Sequence, residues 1–316
     1  MGKYTAALRP VVSNIQSKAY FLWISSLSTA FSGRICLNVL REVLSYFPTL
    51  PSSLPCLSQF SLNLYSLNSH TSNSIVLSKS LPTQPVYLSL DSTRLFACGG
   101  SGNSHIDVSR KSAQPSGKTA FVVFVSGKVV ELPGMRQARS GQGLVLYKSA
   151  VFVFGGHSYD PKPHTLQSIQ TAEKLQIVAP PVWERLPNSN SSHFASSPVL
   201  LRDKIYLCSA NPKCIEVFDP LNSQFSLKRL SSKVTSVEIA YPAQDRIVLV
   251  GSNCTSYLHI KGEDIVVEAR PMHAEIQVRS FTSPVIAEGR VWVWTCKSRI
   301  LAFDVLSGEP VEIDTR

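Results

Sequence analysis

A short apolar run that ends in small residues recurs along this chain. Its copies are Leu95-Phe96-Ala97-Cys98-Gly99-Gly100, Val151-Phe152-Val153-Phe154-Gly155-Gly156, Ile205-Tyr206-Leu207-Cys208-Ser209-Ala210, Ile247-Val248-Leu249-Val250-Gly251-Ser252 and Val291-Trp292-Val293-Trp294-Thr295-Cys296. They begin 42 to 56 residues apart. A run of this length bounded by turn residues reads as a strand. Repetition at this interval predicts units of about four strands, the period of propeller blades.

The fullest copy lies in residues 135–157. There two strands, at 144–147 and 151–154, flank a tight turn and Gly155-Gly156 closes the hairpin. The other copies also have a strand before them, at residues 86–90, 198–201, 237–241 and 284–287. Each unit then carries a second hairpin. Residues 120–125 turn at Ser126-Gly127 into 129–132, and residues 172–177 lead to Trp183-Glu184-Arg185-Leu186-Pro187. Ile215-Glu216-Val217-Phe218-Asp219-Pro220 leads to Phe225, 256–260 turn at Lys261-Gly262 into 264–268, and 300–304 turn at Ser307-Gly308 into 310–313. Residues 62–67 and 74–77 read as one further hairpin ahead of the first unit. Composition agrees: 44% of residues are hydrophobic and only 16% charged, which suits an all-β protein with a substantial core.

Residues 1–57 differ in texture. Ile35, Val39, Val43 and Phe47 recur at helical spacing with Arg41 and Glu42 opposite, and Pro48 stops the run. Pro51 and Pro55 mark a linker into the strand-rich part, 58–316. The apolar Ala19-Tyr20-Phe21-Leu22-Trp23-Ile24 is interrupted by Ser25, Ser26 and Ser28, too short a run to span a bilayer; no membrane association is expected. Met1-Gly2 lacks the Ser or Thr that myristoylation needs, with Ala6 in its place.

The net charge is +10. The basic residues are spread out, with pairs such as Arg110-Lys111 and Lys228-Arg229 as the longest runs. Such spreading reads as a solvated surface, and no nucleic-acid partner is expected. Seven cysteines without C-x-x-C spacing read as reduced, mostly buried thiols of a cytoplasmic protein.

The Gly-Gly doublets at Gly99-Gly100 and Gly155-Gly156, the Phe218-Asp219-Pro220 third strand and the Trp183-x-x-Leu186-Pro187 fourth strand resemble kelch repeats. The resemblance covers about residues 60–316, strongest in the second unit. It implies a kelch-like β-propeller of five recognisable blades, with the hairpin at 62–77 as an incomplete sixth, after a short helical N-terminal segment. Glycines at 99, 100, 155 and 156 would take positive φ where the chain leaves a blade, and Trp183 would fill the wedge between blades. The stretch Val39-Leu40-Arg41-Glu42-Val43-Leu44-Ser45-Tyr46-Phe47 resembles the second helix of an F-box, although Leu37-Asn38 replaces the opening Leu-Pro. The plainer alternative is a helical cap.

Signals of chemistry are few. The seven histidines form no H-x-H or H-E-x-x-H pair, and there is no phosphate-binding loop or nucleophile elbow. No cofactor or metal is expected, and an enzyme is not. Alignment of the units gives one positional inference. Twelve residues before each anchor stand Thr83, Arg139, His193, Thr235 and Arg279. In kelch propellers this position lies at the mouth of the central channel. A rim carrying Arg139, His193 and Arg279 would favour an acidic peptide or a phosphorylated protein. Alternatively, Arg139 and Arg279 brace backbone carbonyls between blades. The function expected is therefore non-enzymatic: a propeller that binds a protein partner on one face. With an F-box it would act as a substrate-recognition adaptor of a ubiquitin ligase that binds an F-box adaptor protein. The alternatives are a propeller enzyme (a copper oxidase or a glycan-active one) and a cytoskeletal scaffold.

Overall fold

The computed structural model describes residues 53–57, 61–66, 72–82, 85–100, 116–160, 165–177, 180–193, 197–208, 214–230, 234, 237, 239–251, 254–262, 264–271, 284–287, 289–294 and 300–311. All regular structure among them is strand. The helical segment expected within 1–57, with its F-box-like stretch 39–47, lies outside the described residues.

Five four-stranded antiparallel sheets follow one another in a propeller arrangement. Blade 1 is Val86–Ser89, Arg94–Cys98, Ala120–Phe124 and Val129–Leu132, and blade 2 is Gly143–Tyr147, Ala150–Phe154, Ala172–Gln176 and Val182–Arg185. Blade 3 is Ser197–Leu201, Lys204–Cys208, Cys214–Asp219 and Gln224–Arg229. Blade 4 is Ile239–Ala243, Arg246–Val250, Cys254–Lys261 and Asp264–Pro271. Blade 5 is Val285–Ala287, Arg290–Trp294, Ile300–Asp304 and Pro310–Val311. The first strands of blades 1 to 4 touch in succession, so they face the centre of the ring.

The second strand of each blade is buried on both faces, which is why it reads as an unbroken apolar run. Side chains alternate across a strand, and each alternate set serves a different neighbour. In blade 2, Val151 and Val153 pack with Phe96 and Cys98 of blade 1. Phe152 and Phe154 pack with Ile205, Leu207 and Phe218 of blade 3. Tyr206 and Cys208 then meet Ile247 and Leu249 of blade 4, and Val248 and Val250 meet Val291 and Val293 of blade 5. Between blades 2 and 3 the rings of Phe152, Phe154, Phe218 and Phe225 form a cluster with centroids 4.7 to 6.4 Å apart. Burying each such ring contributes on the order of 2 kcal/mol.

Ahead of blade 1 stands a three-stranded sheet, Ser53–Leu57, Ser61–Ser66 and Ser72–Val76. Leu57, Leu62, Leu77 and Leu81 pack on Tyr87, Leu95, Ala97, Phe121 and Val123 of blade 1. Its Ser53–Leu57 strand touches Arg290–Trp294 of blade 5. This sheet thus stands between the last blade and the first.

Two sequence expectations change here. Ser53–Leu57, read as linker because of Pro51 and Pro55, is a strand in register with Ser61–Ser66, Pro55 facing Leu64; proline is tolerated on an edge strand. The first strand of blade 4 runs Ile239–Ala243 instead of 237–241. A two-residue turn with Gln244 at φ +56° sets that register.

Candidate functional site

The chain enters blades 2 and 3 through two loops built alike. In the first, Arg139 is wholly buried, at 0% exposure. Its Nη1 donates to the carbonyls of Gly155 at 2.8 Å and Thr171 at 2.9 Å. Its Nη2 donates to Thr171 Oγ1 at 3.0 Å and to Glu173 Oε1 at 2.5 Å. Glu173 also accepts the backbone N–H groups of Arg136 at 2.7 Å and Gln137 at 3.1 Å. Burial pulls the guanidinium pKa down and the adjacent Glu173 opposes that pull; the group stays charged at any physiological pH.

In the second loop, the side chain of His193 is 4% exposed and that of Glu216 is 1% exposed, with Nε2 2.7 Å from Oε2. Glu216 accepts the N–H of Asn190 at 2.6 Å, its side-chain amide at 2.8 Å and the N–H of Ser191 at 3.3 Å. Arg136, Gln137 and Arg139 stand 54 residues before Asn190, Ser191 and His193. The two glutamates hold the same ladder place, Glu173 opposite Val153 and Glu216 opposite Leu207. Each blade therefore clasps its own entry loop with a buried carboxylate on its third strand. Phe121, Ser256 and Leu301 occupy that place in blades 1, 4 and 5, so the clasp belongs to blades 2 and 3.

Between these loops lies Gly155-Gly156. Gly99, Gly100, Gly155 and Gly156 have φ of +65°, +101°, +60° and +94°. At Gly155 a Cβ would lie 2.1 Å from the His193 carbonyl oxygen, so the close approach of the two loops requires glycine there. Trp183 is buried between blades 1 and 2, and its Nε1 donates to Pro133 O at 2.6 Å.

From Gly156 the chain rises into a two-stranded arm, His157–Asp160 paired with Thr165–Ser168. The base of this arm is tied down on several sides. His157 and Ser140 exchange backbone hydrogen bonds at 2.8 Å. Tyr159 N donates to Ser116 Oγ at 3.0 Å. Gly156 N donates to His193 O at 2.6 Å, and Ile169 N to Gly156 O at 2.9 Å. Ser189 N and Oγ both donate to Gln170 O at 2.8 Å. Blade 1 joins through Gln142 Nε2 to Cys98 O at 2.9 Å and Arg139 N to Gly117 O at 3.0 Å.

Of the five aligned positions, Thr83, Thr235 and Arg279 lie outside the described residues. Arg139 and His193 are brought to equivalent places, but beneath the surface, each paired with an acid of its own blade. Arg139 does bind backbone carbonyls, and these belong to its own blade. Glu173 and Glu216 were not singled out by the sequence; the signal was a lone Glu at the same place in two third strands. Among the described residues no three His, Cys, Asp or Glu side chains form a metal-holding group. No helix among them is long and apolar enough to cross a membrane. The chain matches no family model and no curated protein.

The titrating groups give the fold a defined response to acid. Burial holds His157 below its ordinary 6.5, so protons favour the unfolded chain as pH falls below that value. Burial pushes Glu216 upward, but hydrogen bonds from His193 and Asn190 outweigh it and hold the carboxyl below its ordinary 4.5. Backbone hydrogen bonds at the hairpin turns lower Asp219 and Asp304. Stability from these carboxylates is present above their unfolded pKa values and disappears as pH falls through the folded ones. The expected result is a melting temperature that begins to drop below about pH 6.5 and falls more steeply below about pH 4.5. A calorimetric series across this range checks it; a melting temperature unchanged down to about pH 4 would remove both contributions.

Proposed function

We propose that the chain is a non-enzymatic interaction module, a kelch-type propeller that takes a protein partner on the face bearing the arm. The observation that supports this is the arm itself, raised on a base cross-linked to blades 1, 2 and 3. Rigid scaffolds that fix a projecting loop are well suited to recognition. The net charge of +10 favours an acidic or phosphorylated partner segment. Cys98 and Cys208 are buried free thiols, which suits a reducing, cytoplasmic setting.

The F-box resemblance of residues 39–47 extends the proposal to a substrate-recognition adaptor of a ubiquitin ligase. Titration of the purified chain with a purified F-box adaptor protein tests it. Saturable binding is expected, and a Val43→Asp/Leu44→Asp variant is expected to bind about thirtyfold more weakly with an unchanged melting temperature. Absence of binding by the parent chain would remove the adaptor role and leave the interaction module.

A further inference from the structure

We propose that the apolar run at residues 20–24 pairs with the outer edge of the three-stranded sheet and completes it as a four-stranded blade. Each of the five blades has four strands, and this sheet has three among the described residues. Its third strand, Ser72–Val76, lies beside the outer hairpin of blade 1. Just past it, Ser78 N donates to Gly127 O at 2.8 Å, and Ser78 Oγ accepts from Val129 N at 2.9 Å. Lys79 then pairs with Glu131 of blade 1. The chain there crosses to the next blade, so it adds no fourth strand from that side. The outer edge of Ser72–Val76 has no ladder partner among the described residues. Ser72, Asn73 and Ser74 are exposed, and Val76 is 80% exposed.

An open sheet edge invites pairing, and proteins guard such edges with charge or proline. The outer strands of the five blades follow this rule. They carry Glu131, Glu184, Lys228, Glu268 and Pro310 in blades 1 to 5. Ser72-Asn73-Ser74-Ile75-Val76 has neither charge nor proline. An unguarded edge suits a strand that stays covered. Length and composition select the occupant. A five-residue edge is too short to hold a second copy, because stable interfaces between molecules bury more than about 1,000 Å². A strand of the same chain needs less, since its tether keeps it at about millimolar local concentration. The chain holds 52 residues ahead of Ser53, and their longest unbroken apolar stretch is Ala19-Tyr20-Phe21-Leu22-Trp23-Ile24. It is rich in the aromatic residues that strands prefer. The 28 residues between it and Ser53 reach far beyond the width of three strands, about 15 Å. A strand in this place lies beside Ile75 and Val129, which pack on the core shared with blade 1, and on its other face beside Val76. Both faces then meet apolar side chains, which suits a run without polar alternation.

Hydrogen exchange of the full chain tests this, read at the amides of Ser72–Val76. Successive amides of a strand point to opposite neighbours. An open edge therefore protects only every second one, those turned to Ser61–Ser66. Protection of both sets is expected. Phe21→Pro with Leu22→Pro removes two consecutive donors, one of which points at the edge. The outward amides should then exchange about a hundredfold faster. Amides of blade 3 such as Tyr206 and Val217 should keep their rates and show that the ring is folded. Phe21→Ser with Trp23→Ser keeps the backbone donors and strips apolar side chains, and should give about a tenfold rise. Outward amides that exchange in the parent chain as fast as in an unstructured peptide overturn the proposal. Outward protection that survives both variants overturns it too. If that protection grows with protein concentration, a second copy covers the edge; if it does not, another segment does. The adaptor reading rests on residues 39–47, so either can fail while the other stands.

Discussion

Glu173→Ala is expected to lower unfolding free energy by about 3–5 kcal/mol, because it leaves a buried guanidinium without its counter-charge. Arg139 is sealed from solvent, and Glu173 is its one carboxylate partner among the described residues. The substitution also releases the N–H groups of Arg136 and Gln137. Urea unfolding followed by tryptophan fluorescence measures the loss. Replacing both members, as Arg139→Met with Glu173→Leu, should recover a large part of it, since the cost lies in the orphaned charge more than in the absent bond. A single-variant loss below about 1 kcal/mol would mean that water reaches Arg139, and that the residue is a surface cation after all. The same reasoning separates bracing from recognition. If Arg139 acted only on a partner, Arg139→Ala would leave the melting curve in place.

Trp183→Ala carries the second large effect, about 3–5 kcal/mol. Its ring fills the space between blades 1 and 2 among Phe96, Leu144, Val151 and Leu175, with the Phe96 centroid 6.4 Å away. Removing it opens a cavity that rigid sheets on either side close poorly. Trp183→Phe keeps most of the apolar volume but leaves the Pro133 carbonyl without the indole N–H. It should cost about 1–2 kcal/mol. If alanine and phenylalanine cost the same, the hydrogen bond and not the wedge would be the source of stability.

The blades were legible because their signal is local. An apolar second strand, a two-residue turn and a glycine doublet are all visible within about ten residues, and repetition multiplies a weak pattern. Trp183 and the glycines therefore fell where the motif placed them. Glu173 and Glu216 did not announce themselves, because their partners lie 34 and 23 residues upstream and a single acid in a strand carries no periodicity. Arg139 shows the same limit. Alignment put it at the mouth of the central channel, but whether its side chain turns outward or down onto Thr171 is decided by an acid that the repeat does not require. The strand Ser53–Leu57 was masked by its proline, and the arm by its polar composition, which resembles that of a loop.

The three-stranded sheet at the start of the ring has a consequence for how the molecule is made. It packs on blade 1 early in the chain, but its contact with Arg290–Trp294 joins segments separated by nearly the whole described sequence. Contacts of such separation form late. During synthesis the blades therefore accumulate as an open arc with two unpaired ends, the side of the three-stranded sheet turned away from blade 1 at one end and the newest blade at the other. The arc becomes a ring only when blade 5 arrives. Until then each end is a surface that another unfinished chain can occupy, so the yield of folded protein should depend more on the rate of that last closure than on the stability of any blade.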